Sequence, residues 1–305
     1  MDSAHIKLMA SNLGFDACGI AKVHRIDSEA QQRYTSWLDS GKNGCMQWAT
    51  NHQQLREDPQ LLLEGAHSVI VVAMNYYPQV FQPSEAPQLA YYALGRDYHE
   101  VVKQRLWKLA QAIEQETGCK SRACVDSAPL RERYWAQQAG VGFIGLNNQL
   151  IIPGRGSFFF LGVLLTTLEL DPDEPCHDQC LQCGACERAC PTGALHCGDT
   201  VDARLCLSCL TIEQRGDLPQ WVQGVIGNHL YGCDECQLCC PHNKAAVPTT
   251  IPEFQPKPEL LNLTLDDVLN MTQEQFSSIF AHSAVKRTKL DGLKRNALLI
   301  KNSKK

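Results

Sequence analysis

Apolar positions recur along this chain with two periods and divide it into three zones. Residues 6–13 open with a helix-like pattern, and a short apolar stretch follows over 17–21. Residues 67–75 form a short β-branched run that reads as a buried strand. Over 98–117, apolar residues at Val101, Val102, Leu106, Leu109, Ala110 and Ile113 trace one helical face, which Gly118 ends. A strand over 123–125 then meets Asp126-Ser-Ala-Pro129. There Ser127 is placed to cap the next helix, Pro129 suits its first turn and Gly140 stops it. Residues 149–153 and 158–167 complete a strand-rich first zone, 1–172, whose pattern reads as an α/β domain. Glycines and prolines break the second zone, 173–246, into short turns. The third, 247–305, opens on a linker-like stretch and offers two short helical patterns, 264–269 and 273–280.

Composition changes this picture in two ways. With 305 residues, 44% apolar and 20% charged, the chain can build more than one domain around a sizeable core, and intrinsic disorder is excluded. The longest apolar run, 158–165, falls far short of the ~18 residues of a membrane helix. Asp2, His5 and Lys7 stand where a signal peptide would need its apolar core, so a cytoplasmic location and no membrane are expected. The net charge of −5 hides an asymmetry: residues 286–305 carry eight Lys/Arg and one Asp, and the remainder is strongly acidic.

The sixteen cysteines are the sharper signal, because twelve lie between Cys176 and Cys240. A reducing compartment argues against disulfides, and metal is the first expectation. Cys180-Leu-Gln-Cys183-Gly-Ala-Cys186-Glu-Arg-Ala-Cys190-Pro191 is the C-x2-C-x2-C-x3-C-P run of bacterial ferredoxins, in which the fourth cysteine ligates the other cluster. A partial copy follows at Cys233-Asp-Glu-Cys236-Gln-Leu-Cys239-Cys240-Pro241. It fits if Cys240 takes the place before proline and the missing ligand lies upstream, with Cys206 the best choice. Two [4Fe–4S] clusters result: one on Cys180, Cys183, Cys186 and Cys240, the other on Cys190, Cys206, Cys233 and Cys236. Structural zinc is the competing reading, but it favours separated C-x2-C pairs over three thiols in one tight loop. Cys176, Cys197, Cys209 and Cys239 remain without a ligand role and read as small buried apolar residues.

Two clusters alone describe an electron carrier, which does not need the preceding 170 or so residues. That zone lacks a G-x-G-x-x-G after a strand, a Walker loop and a C-x-x-C-H haem motif. Asp126 stands out there, following a strand and preceding a helix. It reads either as a helix-capping residue or as a positioned acid.

These residues resemble a known family. Tyr92-Ala-Leu-Gly-Arg-Asp-Tyr-His99, Val125-Asp-Ser-Ala-Pro129, Gly156-Ser-Phe-Phe-Phe-Leu161, Cys206-Leu-Ser-Cys-Leu-Thr-Ile-Glu213 and Tyr231-Gly-Cys-Asp-Glu-Cys-Gln237 resemble epoxyqueuosine reductase. Ser283-Ala-Val-Lys-Arg287 and Arg295-Asn-Ala297 extend the likeness over almost the whole chain. The resemblance implies an α+β fold: a nitroreductase-like cobalamin-binding catalytic domain over 1–172, a ferredoxin-like module with two [4Fe–4S] clusters over 173–246, and a short helical, basic segment over 247–305. It implies reduction of epoxyqueuosine to queuosine at the wobble position of tRNA, the last step of queuosine biosynthesis. Asp126 would be the proton donor. Arg56, Asp126, Ser208, Asp234 and Gln237 would lie near the corrin, with Leu150 and Leu161 touching it through their backbones.

Asp97-Tyr-His99 begins like the D-x-H-x-x-G motif of a lower cobalt ligand, but Val102 replaces the glycine. Cobalamin without a protein axial ligand is therefore expected, with Tyr98 and His99 lining the pocket or packing in the core. Lys286, Arg287, Lys289, Lys294, Arg295, Lys301, Lys304 and Lys305 would grip tRNA phosphates, unless they form only a solvated, frayed tail. An external low-potential donor such as ferredoxin or flavodoxin, and a monomer, complete the expectation. Leu146 and Cys209 depart from the family pattern, and many members continue into a helical-repeat segment not found here. A dehalogenase-like corrinoid reductase of small molecules and a polyferredoxin-type carrier are the rival readings.

Overall fold

The computed structural model describes residues 1–196 and 200–304; Cys197 and Lys305, which figured above, lie outside the described residues. The first zone contains helix α1 (Ser3–Asn12), strand β1 (Ala17–Lys22), α2 (Ser28–Asp39), α3 (Gln53–Glu57), β2 (Ser68–Asn75), β3 (Gln88–Leu89) and α4 (Tyr98–Thr117). It continues with β4 (Ser121–Cys124), α5 (Glu132–Gln138), β5 (Phe143–Ile144), β6 (Leu150–Ile151) and β7 (Phe159–Thr166). The main sheet has the order β1-β2-β7-β4, and every neighbouring pair is antiparallel. That corrects the α/β reading of this zone. Buried apolar runs recur in parallel sheets, but here the sheet is buried because helices cover both of its faces.

Alternation along β2 sorts the two sides. Ile70, Val72 and Met74 join α1 and the apolar face of α4, while Val69, Val71 and Ala73 join Tyr134, Trp135 and Ala136 of α5. Gly162 on β7 lets α4 approach closely, since a Cβ there would stand 2.9 Å from the Val102 side chain. Helix α4 spans the predicted residues, with Asp97 as N-cap and Gly118 in the left-handed conformation as its stop.

The helix after Asp126 begins later than its sequence suggests. Ser127 is not its cap: the Ser127 hydroxyl donates to the Val125 carbonyl, and α5 starts at Glu132. Residues 126–131 are instead a loop, and that loop carries the site.

The second zone is built of short pieces: α6 (Ala185–Ala189), α7 (Leu207–Ile212), β8 (His229–Tyr231) and α8 (Glu235–Leu238). The chain then forms α9 (Pro258–Leu261), α10 (Leu265–Asn270), α11 (Gln273–Ile279) and α12 (Lys289–Ser303). Thr264 and Thr272 open α10 and α11 with capping boxes. The basic terminus is no frayed tail. Leu290, Leu293, Ala297 and Ile300 of α12 share one core with Leu207 and Leu210 of α7, Leu230 and Tyr231 of β8, and Leu89 of β3. The apolar clusters thus cross the compositional zones.

Asn296 locks this core. It is fully buried, and its amide donates to the carbonyls of Thr211 and Leu230 at 2.9 Å each. Asn296→Ala strands the buried Leu230 carbonyl and leaves that of Thr211 with only the Thr288 hydroxyl, and it is expected to cost about 1–3 kcal/mol, read as a lowered thermal midpoint of the intact protein. No helix among the described residues is long and apolar enough to cross a membrane.

Candidate active site and cluster ligands

Asp126 ends the sheet edge that β4 starts, and its backbone is left-handed, φ 46°. Few non-glycine residues adopt that region, although Asp tolerates it better than most. The turn is held from α5, where Glu132 accepts the Asp126 N–H at 2.6 Å. Its carboxylate meets the first turn of α4: the Tyr98 hydroxyl donates to Oδ2 at 2.8 Å, and His99 Nε2 lies 2.9 Å from the same oxygen. On its other side, His99 Nδ1 lies 2.7 Å from Oδ1 of Asp97, the residue that caps α4. The Tyr98 ring is clamped between His99 (4.1 Å) and Phe160 (4.4 Å). The Asp126 side chain stays 53% exposed and that of His99 38%, so the site has an open face.

The charges follow from these contacts. Burial opposes the His99 imidazolium, but hydrogen bonds to Asp126 and Asp97 outweigh it and raise His99 to about 9. Burial likewise opposes an ionised Asp126, yet the bonds from His99 and Tyr98 prevail and hold its carboxyl below the usual range. Burial and the neighbouring Asp126 charge push Glu132 up to about 8. At neutral pH His99 therefore carries a proton and bonds an ionised Asp126, while Glu132 holds a proton of its own.

Sequence reasoning missed this role for His99 and Asp97, and missed Glu132 altogether. The Asp97-Tyr-His99 signal was visible, but nothing local says that it faces Asp126, 27 residues further on.

The cysteines gather by the expected sets. Cys180, Cys183, Cys186 and Cys240 line one small cavity together with Leu146 and Asn147. In the other set Cys206 lies within electrostatic reach of Cys190 and Cys233, and Cys236 within reach of Cys233 and Cys206. Cys236 also feels Cys186, and α6 packs on α8, so the two sets adjoin. Backbone N–H groups point at the sulfurs: Ser208 and Cys209 at Cys206, His242 and Asn243 at Cys240, Thr192 and Ala194 at Cys190. Such bonds favour thiolates and tune cluster potential. Among the described residues no three ligating side chains converge on a point for a single metal ion.

Of the leftover cysteines, Cys209 is buried as expected, but Cys176 and Cys239 are only half-buried. Cys239 turns its thiol to the Cys236 carbonyl at 3.7 Å.

The residues expected near a corrin fall into separate groups. Asp234 and Gln237 are buried and knit the cluster peptide to the first zone. Asp234 accepts the Tyr91 N–H at 2.7 Å, and Gln237 accepts from Ser157 at 3.0 Å. Leu150 is buried on β6 and Leu161 half-buried on β7, while Ser208 is half-buried in the first turn of α7. Arg56 turns back on its own loop, bonding the carbonyls of Asn51 and Trp48 at 3.2 Å each.

Comparison with known proteins gives this arrangement a family. Residues 56–127 match the family model described as Epoxyqueuosine reductase QueG, DUF1730, and residues 179–243 match a 4Fe-4S double cluster binding domain. The epoxyqueuosine reductase of Cellulophaga algicola is 42% identical over 297 residues, covering 97% of each chain. A solved epoxyqueuosine reductase, crystallised with an epoxyqueuosine-modified tRNA-Tyr stem loop, superposes with a TM-score of 0.88 at 30% identity, over 97% of this chain and 80% of that one. The Bacillus subtilis enzyme, with its catalytic aspartate loop swung out of the active site, gives 0.90 at 29% identity over 97% and 80%. By whole-length sequence identity and by fold, the chain belongs to the epoxyqueuosine reductase family.

Proposed function

We propose that this protein reduces epoxyqueuosine in tRNA to queuosine, with Asp126 and His99 handling the proton. The observation that carries this reading is the charged His99–Asp126 pair at an open face, in a chain that gathers two four-cysteine sets. Opening an epoxide to an alkene takes two electrons and two protons and releases the oxygen as water. Asp126 is placed to receive the His99 proton along the 2.9 Å bond and pass it to the epoxide oxygen as the C–O bond breaks. Asp97 steadies the imidazolium, and Tyr98, donating to the same carboxylate oxygen, fixes the direction in which Asp126 points.

The clusters fit the donor set: eight thiols in two adjoining groups, with Cys183 the exposed member of the first. Electrons from an external low-potential protein such as a ferredoxin or flavodoxin would enter there. Cobalamin would take the open face beside Asp126, whose side chain is 53% exposed, with cluster-bearing peptide as its wall. Ser208, Asp126, Arg56 and the backbones of Leu150 and Leu161 would hold it, with Asp234 and Gln237 supporting that wall. Bound there, it would supply the reducing metal centre at the epoxide.

The tRNA grip is narrower than its sequence implies. Arg287 pairs with Glu213, Lys301 with Asp266, and Arg295 bonds the carbonyls of Gln214 and Gly216. Lys286, Lys289 and Lys294, which make no ion pair among the described residues, are better placed for phosphates. A monomer acting in the cytoplasm suffices for this chemistry.

The test is anaerobic incubation of reconstituted protein and a competent reductant with tRNA bearing epoxyqueuosine, followed by nucleoside analysis. Queuosine is expected; persistence of epoxyqueuosine overturns the reading, and failure to take up any corrinoid overturns the cofactor assignment.

Glu132 is a positioning residue in this scheme. Glu132→Ala removes the bond that holds the Asp126 turn, and kcat/KM is expected to fall ~3–10-fold, the worth of one such hydrogen bond. Glu132→Gln keeps an oxygen for the same N–H and should restore most of it. Equal losses in both variants would rule out the latch.

A further inference from the structure

Cys45 and Cys209 belong to neither cluster set, yet their sulfurs lie 3.3 Å apart across 164 positions of sequence. Cys45 follows Gly44 in the loop after α2. That loop is pinned to the second zone by the Ala203 N–H donating to the Lys42 carbonyl at 2.8 Å. Gly44 has φ 55°, and a Cβ there would stand 3.1 Å from the Arg204 nitrogen, so the close approach of the two segments is built into the backbone. Cys209 sits in α7, one turn beyond the cluster ligand Cys206, and is only 7% exposed. Cys45 lines an open cavity of about 540 Å³, walled also by Arg204, Gln214 and Asp217. One thiol of the pair is thus reachable from solvent, and the other is shielded behind it.

We propose that Cys45 and Cys209 form a reversible dithiol–disulfide modification site for low-molecular-weight disulfides of the glutathione class, with Cys45 attacking and Cys209 resolving. The Cys45 thiolate displaces one small thiolate and forms a mixed disulfide. Cys209 then loses its proton and attacks the Cys45 sulfur, releasing the second small thiolate. Two protein thiols and one small disulfide become one protein disulfide and two small thiols, so two electrons leave the protein. Cys45 faces the cavity and meets the small disulfide first, while Cys209 is shielded behind it and within reach of the Cys45 sulfur, a division that suits an attacking and a resolving thiol. The bond would tie the 41–46 loop to the helix that begins at Cys206 and would take no sulfur from either cluster.

The test is anaerobic exposure of the cluster-loaded protein to glutathione disulfide, then alkylation, digestion and mass spectrometry. The expected result is loss of two alkylatable thiols, a joined pair of peptides containing residues 45 and 209, unchanged cluster absorbance, and reversal by dithiothreitol. Cys209→Ser should trap glutathione on Cys45, whereas Cys45→Ser should leave Cys209 unmodified. Both thiols remaining fully alkylatable in the parent overturns the proposal, as does stable glutathione on Cys45 with Cys209 still free. Preferential modification of Cys209 in Cys45→Ser overturns the order of attack.

Discussion

Replacing Asp126 by Asn is expected to lower turnover on epoxyqueuosine-bearing tRNA by ~10²–10⁴-fold, the usual contribution of a positioned acid–base group. Iron content should stay at the parental value, because Asp126 touches no cysteine of either set. Two effects combine. Asn cannot carry the proton, and the amide no longer stabilises the imidazolium of His99, which now sits at about 9 because its bonds to Asp126 and Asp97 outweigh burial. In Asp126→Asn the His99 value should therefore fall toward the ordinary ~6.5, a shift that an NMR titration reads independently of turnover. In the parent, kcat/KM should decline as pH rises through about 9, where His99 loses its proton. The same sign governs folding. A histidine raised above its unfolded value contributes stability that is complete below ~6.5 and is lost as pH passes about 9. Full turnover in Asp126→Asn, or an unmoved His99, would end the acid role.

Why the sequence reached Asp126 and not its partner is a matter of range. Periodicity reports local structure, and it placed β2, α4 and β7 to within a residue or two because their buried faces recur every second or every third to fourth position. It also overreached locally. Ser127 and Pro129 look like a helix start, but the bond from the Asp126 N–H to Glu132 holds the chain in a turn for five more residues. Strand direction is not written in a buried apolar run, so the antiparallel sheet came only from the fold. The same limit hid Asp97, His99 and Glu132, whose meaning depends on α4 and α5 converging on one turn. It hid the Cys45–Cys209 contact completely. By contrast, cysteine spacing carries its own geometry, and it lets two candidate four-cysteine sets be proposed residue by residue. Helix α12 was masked by its charge: eight basic residues read as a tail, although Leu290, Leu293, Ala297 and Ile300 fall at helical spacing on a buried face.

Cys240→Ala is expected to remove one cluster, about four of about eight irons, and to abolish tRNA reduction, whereas Cys239→Ala keeps the full complement. The two cysteines are adjacent, and spacing alone favours Cys240 only through the proline that follows. The structure separates them. Cys240 lines the cavity with Cys180, Cys183 and Cys186 and receives the N–H groups of His242 and Asn243, so its sulfur is held at that cavity. Cys239 donates instead to the carbonyl of Cys236 from a half-buried position. Losing one ligand of four leaves three thiolates that would have to hold a solvent-facing iron, and the exposed Cys183 offers no shelter for it. Iron analysis and the electron paramagnetic resonance of the reduced protein decide the matter: Cys240→Ala should retain one cluster signal, that of the Cys190, Cys206, Cys233 and Cys236 set. Cys206→Ala should give the complementary loss, because α7 presents that sulfur from its N-cap with two backbone donors. If Cys239→Ala lost iron and Cys240→Ala did not, the ligand exchange between the two sets would have to be redrawn through α8.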